Sequence, residues 1–377
     1  MTKNNLKIKT ITCHDVYNFG ATLQAYALSK YLFDQGNEVE IINYKPYYLT
    51  FDLWAIGKKW NKNFLLKTIY FLYVVPRRLS MKKRRQKFDE FKISHLNITQ
   101  KKYISSSELK MSPPVADIFF AGSDQIWNPL LPNGKDPAFF LDFVANGSIK
   151  ASYAASFSVK EIPMELKESV KKYLQNFDFV AVREPSAIPI LENLKIKDAE
   201  VVVDPVFLLD SKDWNEIASS PINEKYVLVY DQENNKLLKD IALKLKKKYN
   251  VKILAIETLY PMSFADIRIR DAGPQDFLGL IKNCEICLTN SFHCISFSLI
   301  FRKSFYLFKR THLDVNSRMT DLLEYLNLTD RIINDNKDKI NLNKLDYGNA
   351  GKLLDKRILS SKNYIKNVIN TAIDENN

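Results

Sequence analysis

The stretch LKIKTITCHDVYNFGATLQAYALSKYLFDQGNEVEIIN, residues 6–43, decides the fold of this protein. Apolar and polar residues alternate in residues 6–13, which predicts a strand, and residues 21–35 have the apolar periodicity of a helix. Gly36 ends that helix, because glycine readily adopts the left-handed conformation found at helix C-termini. Residues 38–43 form the next predicted strand. A strand, a helix and a strand in this order predict two parallel strands joined by a right-handed crossover.

The same alternation continues in two successive blocks. The first block runs to Asp204 and Pro205, and the second begins with a strand near residue 225. This pattern predicts an α/β protein with two Rossmann-like, doubly wound domains that face a cleft. We place the domains at 1–208 and 209–345, and we expect a C-terminal helix in 346–377 that packs back on the N-terminal domain. Ligands of such folds bind beyond the carboxyl ends of the strands, so the loops that follow strands are the candidate sites.

The composition limits the class of protein. Hydrophobic residues make up 46% of the 377 residues and aromatic residues 12%, which is enough to build the cores of two domains. Four cysteines are too few for a disulfide framework, which indicates a reducing compartment. The first residues do not resemble a signal peptide, and no apolar run reaches the roughly 18 residues of a membrane span. We therefore expect a cytoplasmic protein.

Most of the net charge of +12 lies in one window, residues 57–92, where twelve basic residues face two acidic ones. Aromatic and apolar residues are interspersed at 64–75, within a predicted helical insertion at 57–94. This combination is typical of a segment that lies on an anionic membrane surface, with residues 77–78 and 82–85 against the headgroups. A solvated basic helix beside a core helix explains the pattern equally well. The window contains no nucleic-acid-binding module, so we expect no nucleic acid partner.

The first candidate loop is HDVYNFGATLQAY, residues 14–26. Gly20 lets the backbone turn tightly into the helix, whose free N–H groups attract hydroxyls and anions. The side chains of His14, Asn18 and Gln24 can donate and accept hydrogen bonds, as sugar hydroxyls require. The structural alternative is that Asn18 only caps the helix and His14 is only a surface loop residue.

The second candidate loop is AGSDQIWNP, residues 121–129, which follows a buried strand. Asp124, Gln125 and Asn128 surround Trp127, whose ring would stack on a sugar while the polar groups bind its hydroxyls. The structural alternative is a capped turn that Trp127 anchors in the core.

The third candidate is Arg183, which follows a buried strand directly. A buried arginine needs an anionic partner. That partner is either Glu184 or Asp204, or it is the phosphate or carboxylate of a ligand, which arginine binds with two parallel hydrogen bonds.

The fourth candidate loop, TNSFH at residues 289–293, precedes an apolar helix predicted at 292–301. The N–H groups and dipole of the first helical turn attract an anion. His293 in that turn can hold a phosphate oxygen or transfer a proton near neutral pH. A lone histidine is more often structural, but this position at the carboxyl end of a strand favours a functional role.

Three cysteines near His293 raise the alternative of a zinc site. Cys284 and Cys287 lie on one predicted buried strand and would face opposite sides of it, and Cys294 does not belong to a second CxxC motif. The sequence also lacks a glycine-rich phosphate loop, a GxSxG motif and an HExxH motif. We therefore predict no metal site.

With these residues in view, the chain resembles the polysaccharide pyruvyl transferase family. The matching motifs follow the family's order over most of the chain: NFGATLQAYAL (18–28), IINYKP (41–46), GSDQIWNP (122–129), SYAASF (152–157), VREPSA (182–187), DPVFLL (204–209), PQDFLGLIKN (274–283), TNSFHCISFS (289–298) and SRMTDLL (317–323). The chain departs from the family's pattern at Ser158 and Cys294, where glycine is expected. The resemblance implies two Rossmann-type domains that face a cleft, the GT-B arrangement of a large class of glycosyltransferases.

The resemblance also implies an activity and roles for the candidate residues. Pyruvate would move from phosphoenolpyruvate to two hydroxyls of a sugar and form a cyclic ketal, without a cofactor. The C-terminal domain would lie on the donor side, and the donor would be held by Arg183, Asn290, Ser291, His293 and Arg318. His293 would transfer a proton, and His14 or Asp124 would act on the acceptor side. The N-terminal domain would hold the acceptor through His14, Asn18, Gly20, Gln24, Asp124, Gln125, Trp127 and Asn128.

A lipid-diphosphate-linked acceptor would place the enzyme at the inner face of the cell membrane, with the basic window against the lipid. The main rival hypothesis is a GT-B glycosyltransferase with a nucleotide-sugar donor. The donor diphosphate would then bind beside His293, and Asp314 is the candidate partner of the ribose. A non-enzymatic protein that binds a membrane surface or nucleic acid is the other alternative.

Overall fold

The fold was obtained as a computed structural model, which describes residues 6–50, 63–220, 222, 224–258, 261–311, 316–335, 338 and 340–376. Two sequence-based predictions fall outside these residues. They are the proposed ribose partner Asp314 and the first part of the basic window, residues 57–62.

The first sheet contains seven parallel strands. They are β1 (Lys7–Ile11), β2 (Glu38–Tyr44), β3 (Ile98–Tyr103), β4 (Ile118–Asp124), β5 (Ile149–Ala155), β6 (Ala181–Val182) and β7 (Glu200–Val201). Their order is β3-β2-β1-β4-β5-β6-β7, so the direction of winding reverses between β1 and β4. A ligand crevice forms at such a reversal in a doubly wound sheet.

The second sheet contains six parallel strands. They are β8 (Tyr226–Tyr230), β9 (Lys252–Ile256), β10 (Ile267–Ile269), β11 (Ile286–Thr289), β12 (Ser304–Phe308) and β13 (Ile332–Ile333). In the order β10-β9-β8-β11-β12-β13, the winding reverses between β8 and β11. The predicted α/β fold with two doubly wound sheets is confirmed.

Helices connect and cover the strands. They are α1 (Phe19–Asp34), α2 (Phe64–Ile69), α3 (Val75–Ser80), α4 (Lys82–His95), α5 (Ser106–Met111), α6 (Met164–Leu174), α7 (Ile188–Asn193), α8 (Ser211–Ile217), α9 (Lys236–Tyr249), α10 (Pro274–Asn283), α11 (Phe292–Ile300), α12 (Ser317–Tyr325) and α13 (Gly348–Asn376). A π-helical turn, Tyr70–Val74, joins α2 to α3.

The strands that the sequence analysis missed lie at sheet edges or are very short. β3 and β10 are the outer strands on one side of each sheet, and β13 has two residues. In β3 the run Gln100–Lys102 is exposed, so the strand has little apolar periodicity to detect. Polar and charged edge strands protect a sheet from pairing with another chain.

The two sheets share one apolar cluster, which fixes the cleft between them. Phe19 at the start of α1 stacks on Phe277 of α10 with ring centroids 4.3 Å apart. Tyr26 of α1 packs edge-on against Trp214, whose ring in turn contacts Phe297 of α11. Aromatic pairs at these separations stabilise a contact beyond the area they bury.

The C-terminal helix α13 returns to the first sheet. Tyr364 donates a hydrogen bond of 2.8 Å to the carbonyl of Ser152 in β5, and the Ser361 hydroxyl accepts one from the backbone N–H of Val203. Val368 and Ile369 belong to the apolar cluster under β1, β4 and β5. The helix therefore ties the end of the chain to the N-terminal half. Within the residues described, none of the helices is sufficiently long and apolar to cross a membrane.

Candidate active site

A cleft of about 560 Å³ lies where the carboxyl ends of the two sheets face each other. Its lining contains five arginines and one carboxylate, and comprises Tyr17, Asn18, Arg78, Met81, Arg84, Arg85, Asp124, Gln125, Tyr230, Gln232, Thr258, Asn290, Ser291, Phe292, His293, Arg310, Arg318 and Met319. Cavities of about 300–1,000 Å³ are typical of small-molecule sites. The balance of charges indicates a site for an anionic ligand.

His293 lies in the first turn of α11, at the boundary between the two halves. Its Nε2 is 3.4 Å from Oδ2 of the buried Asp204, without the alignment of a hydrogen bond. Its ring also rests on Gly20, where a β-carbon would come within 1.9 Å of Nδ1. Asp204 therefore faces Nε2, while Nδ1 lies against the backbone of Gly20. A glycine at position 20 is therefore required for this contact with His293.

Asp204 stays ionised in this environment. Burial alone would raise the pKa of its carboxyl group, but the positive charges of His293 and Arg183 hold this pKa well below its usual value. Arg183 donates to Oδ2 of Asp204 over 2.7 Å. The carboxylate can therefore orient the imidazole and offset a positive charge on it.

Arg183 is paired inside the protein instead of facing the cleft. Its side chain is only 2% exposed, and it contacts Asp204 at 2.7 Å and Asp124 at 3.3 Å. Burial would lower the pKa of Arg183, but the charges of Asp204 and Asp124 raise it. The structure therefore corrects the expectation that Arg183 binds the donor. It supports the alternative of an internal partner, with Arg183 as a positioning residue behind the site.

Arg318 faces the cleft from the start of α12. Its Nη1 is 3.3 Å from Oδ1 of Asp124, while its buried Nε has no partner among the described residues. Burial and the nearby charge of Arg183 lower the pKa of Arg318 to about 10, so it remains protonated at neutral pH. Asp124 is the shared counter-ion: burial would raise the pKa of its carboxyl group, but Arg183 and Arg318 outweigh this and lower it. Because Asp124 is shared between two arginines, it offsets the charge of Arg318 only in part.

The N-terminus of α11 opens into the same space. Ser291 at the N-cap position lines the cleft, and its side chain makes no capping hydrogen bond. Asn290 holds the preceding loop, since its amide donates to Asp231 over 2.6 Å and its oxygen accepts from the backbone N–H of Gln232. The helix terminus and its dipole therefore add to the attraction for an anion. Phe292 lies beneath the guanidinium groups of Arg183 and Arg318, at 4.8 Å and 5.6 Å.

Several of the predicted acceptor-binding residues are buried instead. The Trp127 ring is 1% exposed, donates to the Phe139 carbonyl and packs against Phe140 and Phe157. The structure therefore corrects the expectation of a sugar platform: Trp127 is an anchor of the core. Asn128 is 2% exposed and holds its own turn, with its Oδ1 accepting from the N–H of Leu130.

His14 and Gln24 are also placed in the interior. His14 is fully buried, with Nδ1 3.3 Å from the Thr12 carbonyl and no partner for Nε2 in the described structure. Burial lowers the pKa of His14 to about 4. Gln24 donates to Thr12 and accepts from the N–H of Ser123, so it joins α1 to the loop after β4. These contacts do not bring either side chain to the cleft, contrary to the expectation of catalysis or acceptor binding.

Three predicted residues do reach the cleft from the N-terminal half. Asn18 caps α1 by accepting from the N–H of Ala21 and also lines the cavity. Asp124 and Gln125 follow at the end of β4. Together with Gly20 behind His293, they form the N-terminal wall of the site.

Other cleft residues were not predicted as site residues. Tyr230 ends β8, Gln232 follows β8 and Arg310 follows β12, so the rule that ligands bind at the carboxyl ends of strands would have indicated them. Arg78, Arg84 and Arg85 come from the helical insertion, and their dense positive charge was the only signal.

The insertion is therefore arranged differently from the prediction. From the sequence, residues 77–78 and 82–85 were expected to lie against lipid headgroups. Arg84 is buried and contacts the Glu257 carbonyl, Arg77 pairs with the Glu257 carboxylate, and Arg78 and Arg85 line the cleft. Only Lys82 and Lys83 of this set are exposed. The basic residues mainly face the second sheet, because that sheet offers a buried carboxylate and the cleft.

The structure accounts for one departure from the family pattern. Ser158 has a φ of 53°, the left-handed region that favours glycine. Its N–H donates to Glu184, which also accepts from the Ser156 hydroxyl. At the other departure, Cys294 lies with its sulfur 3.2 Å from that of Cys287. Contrary to the prediction, Cys284 is the C-cap residue of α10 and does not belong to β11. Among the described residues, no group of three potential metal ligands occurs.

Fold and site together define a two-domain α/β protein with an arginine-rich cleft between parallel sheets. The sequence model of the polysaccharide pyruvyl transferase family matches residues 18–312. The chain therefore belongs to this family, which makes it a transferase.

Comparisons with individual proteins are much weaker. No curated protein matches the sequence significantly. Among solved structures, the UDP-GlcNAc 2-epimerase of Methanocaldococcus jannaschii has 14% identity and a TM-score of 0.48, covering 94% of this chain and 99% of that one. Arabidopsis thaliana UGT89C1 has 11% identity and a TM-score of 0.47, covering 98% and 99%. At this level of similarity the matches are not evidence of a shared reaction.

Proposed function

We propose that the protein transfers the pyruvate unit of phosphoenolpyruvate to two hydroxyls of a sugar and releases phosphate, forming a cyclic ketal. The observation that carries this proposal is the state of Arg318. It is a buried cation that pairs with Asp124, a carboxylate shared with Arg183, and its pKa is lowered to about 10. An anion beside it would offset that loss. Phosphoenolpyruvate has a carboxylate and a phosphate, and the uncapped N-terminus of α11 lies within the same cleft.

The atoms of the reaction balance without a further reagent. A proton adds to the methylene carbon of phosphoenolpyruvate and makes it a methyl group. The neighbouring carbon then bonds to one acceptor oxygen, its bond to the phosphate oxygen breaks, and a second acceptor hydroxyl closes the ring. Of the two protons that the acceptor hydroxyls lose, one replaces the proton delivered to carbon and the other leaves with phosphate. The proposal includes no cofactor or metal.

His293 is the proposed group for proton transfer. Its ring is held between Gly20 and the ionised Asp204, and it lines the cleft beside Ser291. A histidine in this setting can deliver a proton to the donor carbon or take one from an acceptor hydroxyl. Arg318 would hold the donor anions, and Arg183 would act indirectly by keeping Asp124 and Asp204 in place.

Family membership implies a polysaccharide acceptor. We propose that it enters beside Asn18, Asp124 and Gln125, the predicted acceptor residues that line the cleft. The insertion supports a lipid-linked acceptor, since Phe64, Leu65, Leu72 and Tyr73 are between 65% and 85% exposed. Apolar side chains displayed in this way suit contact with a membrane surface. A peripheral position at the inner face of the cell membrane would follow.

A donor screen tests the proposal. The protein should be stabilised against heat by phosphoenolpyruvate and not by UDP-, GDP- or CMP-sugars. Selective stabilisation by a nucleotide-sugar would favour the glycosyltransferase hypothesis and reject this one. His293→Ala should lower kcat by at least about 10²-fold with an unchanged circular dichroism spectrum. His95→Ala is the matched control, because His95 stacks on Phe91 outside the cleft lining.

A further inference from the structure

A second cavity, of about 700 Å³, lies in the N-terminal half of the protein beside the cleft. It is bounded by α4 on one side and by β2 and β3 on the other, and we call it the lateral groove. Tyr17 lines both the cleft and the lateral groove. The two cavities therefore meet at this residue.

Helix α4 runs along both cavities. Arg84 and Arg85 near its start line the cleft, and Ile93 near its end lines the lateral groove. At 1.5 Å per residue, the eight residues from Arg85 to Ile93 span roughly 12 Å along the helix axis. This span is longer than one sugar ring, so a glycan that reaches both cavities would contribute a separate sugar unit to each.

The charges of the lateral groove neutralise one another. Lys45 and Lys92 contact the carboxylate of Asp15 at 3.1 Å and 2.6 Å, and Lys92 also contacts Asp89 at 2.8 Å. Burial would raise the pKa of Asp15, but Lys92 and Lys45 outweigh this and lower it. Two ammonium groups thus offset two carboxylates. In contrast to the arginine-rich cleft, the lateral groove suits a ligand without charge.

The floor of the lateral groove has an unsatisfied hydrogen-bonding group. The register between β2 and β3 shifts between Ile41 and Asn43, and the backbone N–H of Asn43 donates to the hydroxyl of Thr99 over 3.0 Å. The side-chain oxygen of Asn43 is buried and has no partner among the described residues. A buried acceptor without a partner is unfavourable, and a hydroxyl of a ligand in the groove would satisfy it.

The rim of the lateral groove combines an apolar side chain with an amide. Ile93 on α4 is 84% exposed, and Gln100 on β3 is exposed across the groove from it. An apolar side chain packs on the C–H face of a sugar ring. Amides both donate to and accept from its hydroxyls. A few placed polar groups beside apolar surface are typical of a site that binds a small polar molecule.

We propose that the lateral groove is a subsite for a neutral sugar unit of the acceptor, beyond the unit that receives pyruvate in the cleft. The protein would then select its acceptor partly through a sugar that it does not modify. This inference rests on the proposed function, since it assumes that the modified sugar lies in the cleft. The residues that determine the selection are Asn43, Ile93 and Gln100.

Steady-state kinetics test the subsite with a membrane glycolipid extract of the source cells as acceptor. Ile93→Ser and Gln100→Ala should each raise the half-saturating amount of extract about 3- to 10-fold, the effect of one neutral contact. The KM for phosphoenolpyruvate and kcat should change little, because the reacting groups lie in the cleft. Met164→Ser is the control for Ile93→Ser, because Met164 is 83% exposed at the start of α6. Lys101→Ala, one position along β3 and outside the groove lining, is the control for Gln100→Ala.

A competition experiment shows whether the groove recognises the glycan itself. The probe is the lipid-free oligosaccharide released from the same extract by mild acid. It should inhibit the wild type and both controls, and the two groove variants should require about 3- to 10-fold more of it. If it inhibits none of the proteins, or inhibits the groove variants and the controls equally, the subsite is overturned while the proposed function stands. If the wild type releases no phosphate from phosphoenolpyruvate with the extract, the proposed function fails as well.

Discussion

The contact between Gly20 and His293 leads to a strong prediction. A β-carbon at position 20 would lie 1.9 Å from Nδ1 of His293, whereas ordinary contacts begin near 3.4 Å. In Gly20→Ala the ring must therefore move by about 1.5 Å. A displacement of about 1 Å in a reacting group can reduce a rate about 10²-fold. We expect a loss of kcat of at least about 100-fold.

Stability should change far less than activity in this variant. Alanine favours the helix by up to about 1 kcal/mol over glycine, although the gain is smaller at the second residue of α1. Overpacking of the site costs about 1–3 kcal/mol. The net change in unfolding free energy should therefore stay within about 2 kcal/mol, and the far-ultraviolet circular dichroism should be unchanged.

The assay follows phosphate release from phosphoenolpyruvate with a membrane glycolipid extract as acceptor. Gly351→Ala in α13 is the control, because a β-carbon there meets no atom within 4 Å. It should keep full activity and gain up to about 1 kcal/mol of stability. If Gly20→Ala is as active as Gly351→Ala, the ring position of His293 does not control the reaction, and the proposed role of this residue is refuted.

Two further predictions concern His14 and the insertion. The pKa of His14 is about 4 in the folded protein and about 6.5 when exposed, so only the unfolded chain takes up this proton between those values. The free energy of unfolding should therefore fall by about 3 kcal/mol as the pH drops through this range. Urea unfolding at about pH 7 and about pH 4.5 should show that His14→Gln loses less stability than the wild type between the two pH values. The same loss in both proteins would contradict the prediction. In vesicle sedimentation, replacing Phe64 and Leu72 with Ser should abolish membrane binding. The double replacement Lys82→Gln with Lys83→Gln should weaken this binding only at low salt. If the wild type stays in solution with vesicles at low salt, the exposed face does not bind lipid.

Local pattern was sufficient to predict the order of the main elements. The period of the apolar residues and Gly36 after α1 act within a few residues, so the first crossover and both blocks of strands were predictable. His293 was also predictable as a site residue, because the end of β11 and the start of α11 place it at the carboxyl edge of a sheet. The strands β3, β10 and β13 escaped prediction, because residues 100–102 of β3 are exposed and polar and the other two strands have only three and two residues.

Tertiary structure decided which polar residues face the cleft. His14, Gln24 and Trp127 follow strands as a site residue should, yet each is turned inward by partners in the core. Arg183 and Arg318 are both arginines at strand or helix ends, but only Arg318 lines the cavity. A sequence pattern cannot make this distinction, because it depends on which carboxylates come close after folding.

The arginines of the insertion and of the cleft show the same limit over longer distances. Arg77 meets Glu257 across 180 residues, and Arg318 meets Asp124 across 194. By itself the sequence determined that a basic helical insertion follows the first crossover. Whether those charges met solvent, lipid or a ligand was decided only when the second sheet supplied a buried carboxylate and the opposite wall of a cleft. The physical reason is that burial and pairing of charge depend on contacts between distant segments, which the local pattern of residues does not encode.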